Sequence, residues 1–218
     1  MAVNIEVYKQ NSIGIESDDR LFFVDPYKID HQKLGRFGRG ADLVFITHRH
    51  QDHFSRYDIE MVAGYDSCLV VPKNLVWNAV RIWRGKESNI SHHAVVFANQ
   101  TREINGIRVT GVPAYNILKP FHPRFAGGLG YIIETGGKRI YIAGDTDATR
   151  EAKAVKCDIA LVPIGGIYTM NAKQAAKLIN IIKPEMAIPT HYDKPEIGEE
   201  FKKLVDPSIK VQLKMIFE

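Results

Sequence analysis

An apolar strand followed at once by a cluster of metal-type side chains is the feature that most constrains how this chain folds. The segment 42–47 (Asp-Leu-Val-Phe-Ile-Thr) has the composition of a buried strand, and the hexapeptide 48–53 comes directly after it. Four potential ligands fall within these six residues: His48, His50, Asp52 and His53. Side chains two residues apart in an extended segment point the same way, so the first two histidines can reach one metal ion together. A turn into a helix capped near Ser55 can direct the other two ligands towards a second ion.

Two further apolar strands also end in a potential ligand. Asp145 follows the strand 139–143 through Gly144, and His191 follows the strand 186–189. Because sites in α/β proteins lie beyond the carboxyl ends of strands, we expect these side chains to meet the hexapeptide in space. The carboxylate of Asp145 can bridge two cations, and His191 can complete the ligands of the second ion. The predicted ligands of a binuclear site are therefore His48, His50, Asp52, His53, Asp145 and His191.

The ligand chemistry favours two divalent transition-metal ions. Imidazole and carboxylate ligands suit zinc, with manganese or iron as alternatives. Asp25 also ends an apolar strand, and two interpretations of it stay open. It is either an ordinary turn residue before Pro26 or a carboxylate that hydrogen-bonds a ligand histidine and fixes its tautomer.

The rest of the chain alternates between strands and helices, which predicts a layered α/β fold and a single domain spanning 1–218. Asn171 and Gln174 resemble a capping box at the start of a helix that ends at Ile182. A glycine- and arginine-rich loop is predicted at 33–40. The predicted strands are 4–8, 12–16, 20–24, 42–47, 67–71, 101–104, 107–112, 130–135, 138–143, 158–162, 186–189 and 210–217, and the predicted helices are 55–63, 74–82, 171–182 and 196–205.

Composition limits the classes of partner. Hydrophobic residues make up 45% of the chain and charged residues 25%, which is ordinary for a globular protein. The net charge of +4 and the basic stretch 33–39 fit a solvated surface, or a weak attraction for an anionic substrate. Cys68 and Cys157 are predicted to be buried free thiols. We find no signal peptide or membrane span, so we expect a cytoplasmic protein without a membrane partner.

The motifs together resemble the metallo-β-lactamase superfamily. The resemblance rests on the hexapeptide, on Gly144-Asp145-Thr146 and on Thr190-His191. Finer features are similar to a branch of metal-dependent hydrolases akin to L-ascorbate-6-phosphate lactonases and N-acylphosphatidylethanolamine phospholipases: Val24–Tyr27, Val112–Asn116, Phe121–Pro123, Pro163–Gly166 and Tyr168–Met170. The resemblance covers residues 4 to 192. It implies a four-layer αββα sandwich with the site at one edge of the two sheets.

Two departures from the pattern of these relatives affect the site. Relatives usually supply a further histidine to the first metal ion from the loop in which this chain has Tyr115-Asn116. Asn116 is a weaker ligand, and His122, six residues on, is a candidate replacement. Relatives also often carry Gly-His-x-Ser where this chain has Lys9-Gln10-Asn11-Ser12, a difference expected to reshape the substrate pocket.

The expected chemistry is hydrolysis of an ester, lactone, phosphodiester or amide bond in a small molecule. The metal ions would lower the pKa of an attacking water to about 7. Asp52 would orient that water and take its proton. Asn116, His122 and Tyr168 would contact the substrate or protonate the leaving group. The sequence predicts neither the substrate's identity nor the oligomeric state.

Three other classes of function compete with hydrolysis. Flavodiiron proteins resemble His-x-Glu-x-Asp, whereas this chain has His50 at the position of the glutamate. Nucleases of the superfamily usually carry an extra domain that clamps the strand, so a nucleic-acid partner is disfavoured for a chain of this length and modest charge. A non-catalytic metal-binding or scaffold protein with a degenerate first metal site is favoured by Asn116 alone.

Overall fold

The computed structural model describes residues 3–30, 39–83 and 90–217. The strands are β1 (Asn4–Val7), β2 (Ile13–Ser17), β3 (Arg20–Val24), β4 (Ala41–Phe45), β5 (Ala63–Pro72), β6 (Ile90–Val96), β7 (Thr101–Ile104), β8 (Ile107–Pro113), β9 (Leu129–Thr135), β10 (Lys138–Ile142), β11 (Ile159–Pro163), β12 (Met186–Thr190) and β13 (Lys210–Val211). The α-helices are α1 (Arg56–Val62), α2 (Val76–Trp83), α3 (Arg150–Lys153), α4 (Ala172–Ile182) and α5 (Pro195–Leu204).

The strands form two mixed sheets that share one design. The first has the order β1-β2-β3-β4-β5-β6, and the second has the order β13-β12-β11-β10-β9-β8-β7. In the first sheet β1 to β3 pair antiparallel and β3 to β6 pair parallel. In the second sheet β7 to β10 pair antiparallel and β10 to β13 pair parallel. Each sheet therefore combines hairpins with helix-connected parallel strands, as the alternation in the sequence predicts.

Burial of both faces of each sheet produces four layers. Phe22 and Val24 of β3 enter the core between the sheets, whereas Leu21 and Phe23 face a second core under α1 and α2. A third core lies between the other sheet and helices α3 to α5, with Phe201 of α5 fully buried in it. Since successive side chains of a strand point to opposite faces, a strand that is apolar at every position must be covered on both sides. The αββα sandwich is confirmed.

Several local predictions are confirmed. Ser55 caps α1 by accepting a hydrogen bond from the backbone N–H of Asp58, and Asn171 and Gln174 form the predicted capping box of α4. The glycine-containing pairs Asn105-Gly106 and Gly136-Gly137, which predict turns between strands, join antiparallel strands. Most of the glycine- and arginine-rich loop predicted at 33–40, and of the basic stretch within it, lies outside the described residues.

Other local predictions differ from the structure. Strand β6 was missed because Ser91, His92 and His93 interrupt its apolar pattern. The last strand is only Lys210–Val211, because the chain then crosses to the first sheet, where Met215 bridges Val7. Cys157 is half-buried instead of buried, while Cys68 is buried, and burial raises the pKa of each thiol to about 12.

The described helices are all short. At eleven residues α4 is the longest of them. None of them combines the length and the apolar composition that a membrane-crossing helix needs.

The core between the sheets gives a test of what holds the sandwich together. Phe45 is fully buried there, with its ring centroid 5.3 Å from that of Tyr131 and 6.3 Å from that of Phe22. We expect Phe45→Ala to lower the free energy of unfolding by about 3–5 kcal/mol through lost burial and a cavity. Urea denaturation measures this. Tyr65→Ala, at a side chain that is 98% exposed, is the control and should stay within about 0.5 kcal/mol of wild type; equal losses in both variants would contradict this account of the core.

Candidate metal centre

Both sheets deliver side chains to the same edge of the sandwich. The hexapeptide follows β4 of the first sheet, whereas Asp145 and His191 follow β10 and β12 of the second. Two hydrogen bonds join the sheets at this edge: the backbone N–H of Leu129 donates to Thr47 O at 3.0 Å, and the Tyr131 hydroxyl donates to Ile46 O at 2.6 Å. Because these bonds fix the strand ends relative to each other, they fix the ligand positions.

Three histidines form the first group of potential ligands. His48 Nε2 lies 3.0 Å from His50 Nδ1, and His122 Nε2 lies 3.1 Å from the same atom. The three ligand atoms all lie within 4.8 Å of one another. The candidate replacement histidine therefore sits with the first two histidines of the hexapeptide.

The second group combines a carboxylate with two histidines. Asp52 Oδ2 lies 3.6 Å from His53 Nε2 and 3.7 Å from His191 Nε2. These ligand atoms also lie within 4.8 Å of one another. The turn after β4 thus divides the ligands of the hexapeptide between two groups, as the sequence predicts. His48 and His50 lie in the first group, and Asp52 and His53 lie in the second.

Asp145 lies between the two groups. Its Oδ2 is 3.4 Å from His122 Nε2 and 3.3 Å from His191 Nε2, and its Oδ1 is 3.5 Å from His53 Nε2. The residue is only 4% exposed. The structure therefore brings together all six residues that the sequence nominates as ligands, with His122 in addition.

Orphaned polar atoms show that the cluster fits metal ions. His53 Nε2, His191 Nε2 and Asp145 Oδ1 are buried and make no hydrogen bond of acceptable geometry with any described residue. A buried polar atom without a partner costs about 1–3 kcal/mol. Cations between these atoms would satisfy all three. The donors are imidazole nitrogens and carboxylate oxygens, the set that transition metals bind.

Comparison with known proteins identifies the family. A family model described as the β-lactamase superfamily domain matches residues 4–191. The chain belongs to this family. A protein of Thermococcus onnurineus named a metal-dependent hydrolase is 33% identical over 187 residues, which are 78% of this chain and 77% of that protein.

Solved structures agree with this assignment. A crystal structure from Parabacteroides distasonis, classed as a metal-dependent hydrolase, is 31% identical and superposes with a TM-score of 0.81 over 97% of this chain and 92% of the other. A metallo hydrolase of the archaeon Ignicoccus hospitalis has a TM-score of 0.75 over 97% of this chain and 94% of that one. At 23% identity it shows a shared fold alone.

A buried carboxylate supports the second group from behind. Asp25 Oδ2 accepts hydrogen bonds from His53 Nδ1 at 2.7 Å, from Asn11 Nδ2 at 2.8 Å and from the Thr47 hydroxyl at 2.6 Å. Its Oδ1 accepts from the backbone N–H of Thr47 at 2.7 Å. Of the two interpretations of Asp25, these contacts match the carboxylate that fixes a histidine tautomer, leaving Nε2 of His53 as the ligand atom.

The segment 9–12 also supports the ligand residues through hydrogen bonds. Asn11 is fully buried, and its Oδ1 accepts a hydrogen bond from the Thr190 hydroxyl at 3.3 Å. Gln10 O accepts from the backbone N–H of His191 at 2.8 Å. Both contacts brace the loop of His191, whose positive φ of 55° is a strained conformation for a residue with a side chain. Sequence reasoning missed Asn11, because a polar run between two short strands has the pattern of an ordinary turn.

The predicted substrate residues take different positions. Asn116 is buried and accepts a hydrogen bond from the His122 ring at Nδ1, so its side-chain oxygen faces a histidine of the first group. Tyr168 is 48% exposed and packs edge-to-face against Phe121 with ring centroids 4.7 Å apart. Phe121 in turn lines the neighbouring cavity. Contact of Asn116, His122 and Tyr168 with a substrate stays a prediction.

Proton affinities differ between the two groups. Burial lowers the pKa of His48 well below its ordinary value, with His53 adding to the effect, and burial also lowers the pKa of His122. Burial opposes the charged form of His53 and His191 too, but nearby carboxylates outweigh it. The pKa of His53 rises well above its usual range, and that of His191 rises to about 9. At pH 7 His48 and His122 are therefore neutral, whereas His53 and His191 are protonated.

The carboxylates of the centre stay ionised. Burial opposes ionisation of Asp52, but the nearby imidazoles of His191, 3.7 Å away, and of His53 lower its pKa to about 2. The pKa of Asp145 falls well below its usual range, because the charges of His53 and His191 outweigh its burial. At neutral pH both residues carry the negative charge that a cation requires.

A cavity of about 620 Å³ opens beside the first group. His48, His50, His122 and Asp145 are among the residues that line it. The rest of the lining mixes apolar and polar residues: the apolar ones are Leu75, Ala114, Pro120, Phe121, Pro123, Phe125, Ala126 and Leu129, and the polar ones are Thr47, Arg49, Asn74 and Asn78. A pocket of this size can hold a small molecule.

These proton affinities lead to a test of metal binding. A metal ion binds only the neutral imidazole, so His53 and His191 must lose their protons when it binds. We expect zinc uptake at pH 7 to release protons, and the apparent affinity to rise as the pH increases towards 9. Calorimetric titration in buffers of different ionisation enthalpy measures the protons released. Zinc binding with no proton release at pH 7 would contradict the raised pKa values.

Proposed function

We propose that this protein is a hydrolase that uses two divalent metal ions, zinc in the first place and manganese or iron as alternatives. It would cleave an ester, lactone, phosphodiester or amide bond of a small molecule. The observation that carries the proposal is the pair of three-ligand groups, with Asp145 between them, beside a cavity of about 620 Å³. The relatives' common name, metal-dependent hydrolase, supports the same class of reaction.

The residues of the centre would have different roles. His48, His50 and His122 would hold one ion, Asp52, His53 and His191 the other, and Asp145 would contact both. When bound, such ions lower the pKa of water and polarise the oxygen of the scissile bond. Asp52 would orient the attacking water and accept its proton, a role that its ionised state at neutral pH allows.

Two observations favour hydrolysis over the other classes of function. The second ligand position holds His50, not the glutamate of the flavodiiron pattern. His122 stands beside His48 and His50, which weakens the argument that Asn116 makes the first position degenerate. The remaining alternative, a non-catalytic metal-binding protein, would bind metal without turnover.

The first test combines metal content with turnover. We expect purified protein reconstituted with zinc or manganese to hold one to two ions per chain by elemental analysis. We also expect it to hydrolyse at least one substrate in a panel of chromogenic esters, lactones, phosphodiesters and anilides. Asp52→Asn should lower kcat by about 100-fold or more, because it removes the base.

The control for this test is Gln51→Ala, which changes an exposed neighbour of Asp52 and should retain the wild-type rate. Absence of metal after reconstitution would sink the proposal. Bound metal without turnover on the whole panel would favour the non-catalytic alternative.

The cavity supports an anionic substrate with an apolar body. Arg49 is exposed, lines the cavity and has no carboxylate oxygen within 4.0 Å among the described residues. Phe121 and Phe125 offer apolar surface on the same cavity, and they are 44% and 91% exposed. An unpaired guanidinium beside an apolar wall suits a molecule that carries both an acidic group and an aryl or acyl group.

A matched substrate pair tests the role of Arg49. 4-Nitrophenyl hexanoate and mono-4-nitrophenyl adipate share the leaving group and chain length and differ by one carboxylate. We expect Arg49→Gln to lower kcat/KM for the adipate ester by about 10- to 100-fold, the value of a charge-assisted hydrogen bond, and to leave the hexanoate ester within about threefold. Arg56→Gln, at an exposed arginine of α1, is the control. Equal effects on both esters would show that Arg49 does not recognise the anion.

A further inference from the structure

Three hydrogen bonds close the loop 116–122 beside the first ligand group. The backbone N–H of Asn116 donates to His122 O at 2.8 Å. In return, Asn116 Oδ1 accepts from the backbone N–H of His122 at 3.2 Å and contacts His122 Nδ1 at 3.0 Å. Pro120 lies within this loop and Pro123 directly follows it, and both restrict the backbone. The two ends of the loop are therefore held to each other by these three hydrogen bonds.

These contacts determine which ring nitrogen of His122 carries the proton. A backbone N–H can only donate, so the atom that faces it must be the amide oxygen of Asn116. The same oxygen faces Nδ1, and it can only accept, so Nδ1 holds the hydrogen. In a neutral imidazole this leaves the lone pair on Nε2.

The lone pair of His122 then points into the candidate metal centre. Nε2 lies 3.1 Å from His50 Nδ1 and 3.4 Å from Asp145 Oδ2. Both Asn116 and His122 are buried, at 5% and 6% exposure, so solvent does not compete for these contacts. Asn116 also keeps a second polar atom, Nδ2, buried without a hydrogen-bond partner among the described residues. Oδ1 is therefore the atom of the Asn116 side chain that makes hydrogen bonds.

We propose that Asn116 is the positioning residue of the three-histidine metal position. It would act through His122 and would not bind the metal ion itself. It would hold His122 in the tautomer and orientation that present Nε2 to the ion, in the place where the resemblance implies a histidine ligand at the strand end. The inference rests on the proposed metal-dependent function, because it assigns a role within that centre.

The substitution pair Asn116→Leu and Asn116→Asp separates this role from simple packing. Leucine has a similar branched shape and removes the acceptor. Aspartate keeps the acceptor and replaces the unpartnered Nδ2 by an oxygen, with a negative charge that would also favour a nearby cation. We expect Asn116→Leu to weaken the binding of one of the two metal ions by about 10- to 100-fold and to leave the other unchanged. Asn116→Asp should restore most of that affinity. Cobalt(II) titration against a competing chelator, followed by its visible spectrum, measures the two affinities.

A second measurement reads the tautomer directly. In the metal-free wild-type protein, nitrogen-15 NMR of the histidine rings should show His122 protonated at Nδ1, and Asn116→Leu should lose that preference. Asn4→Leu, at an exposed asparagine of β1, controls for the substitution itself. A wild-type His122 protonated at Nε2 would overturn the proposal even if the leucine variant failed to fold.

The outcomes separate this inference from the function on which it rests. Two ions bound with wild-type affinity by a folded Asn116→Leu variant would refute the positioning role and leave the metal-dependent function standing. Failure of the wild-type protein to bind cobalt or zinc at all would refute both.

Discussion

The burial of the Asp145 carboxylate is the constraint on which the rest of the site depends. An ionised group at 4% exposure must be compensated, because removing a charge from water without a partner costs several kcal/mol. The compensation comes from imidazoles on both sides, with His122 and His191 near one oxygen and His53 near the other. One oxygen nevertheless makes no hydrogen bond with a described residue. Protons on two histidines balance the charge only in part, and metal ions placed between these groups would balance it better.

The fold meets this constraint by bringing strand ends from two sheets to one edge. Neither sheet alone holds a full set of ligands, since the hexapeptide belongs to one sheet and Asp145 and His191 to the other. The core between the sheets and the hydrogen bonds of Leu129 and Tyr131 to the end of the first sheet set their separation. Stability and site geometry are therefore coupled, so a loss of packing between the sheets should spread the ligand groups apart.

The sequence predicts those ligands whose positions depend on a single strand end. His48, Asp145 and His191 each follow an apolar strand, and one rule about strand ends brings them together. The strand-end rule does not place His122 in the first group, because its position depends on how a loop closes through Asn116; only the resemblance made it a candidate ligand. It also cannot find Asn11, whose partners Asp25 and Thr190 lie 14 and 179 residues away along the chain. Strand β6 was missed for a related reason: its pairing with β5 forms it despite a polar sequence.

The two ligand groups differ in charge, and the cavity lies on the less charged side. The first group has three histidines. The Nδ1 atoms of His48 and His122 face neutral partners, the Thr47 hydroxyl and the Asn116 amide. The second contains the carboxylate of Asp52, and the carboxylate of Asp25 stands behind His53. A metal ion with Asp145 as its one anionic ligand would keep more positive charge than an ion that also had Asp52, so it would attract anions more strongly. The described cavity lining includes the three histidines, Arg49 and the central Asp145, but none of Asp52, His53 and His191. Under the proposed function, a substrate entering there would therefore meet the three-histidine group before the group that contains Asp52.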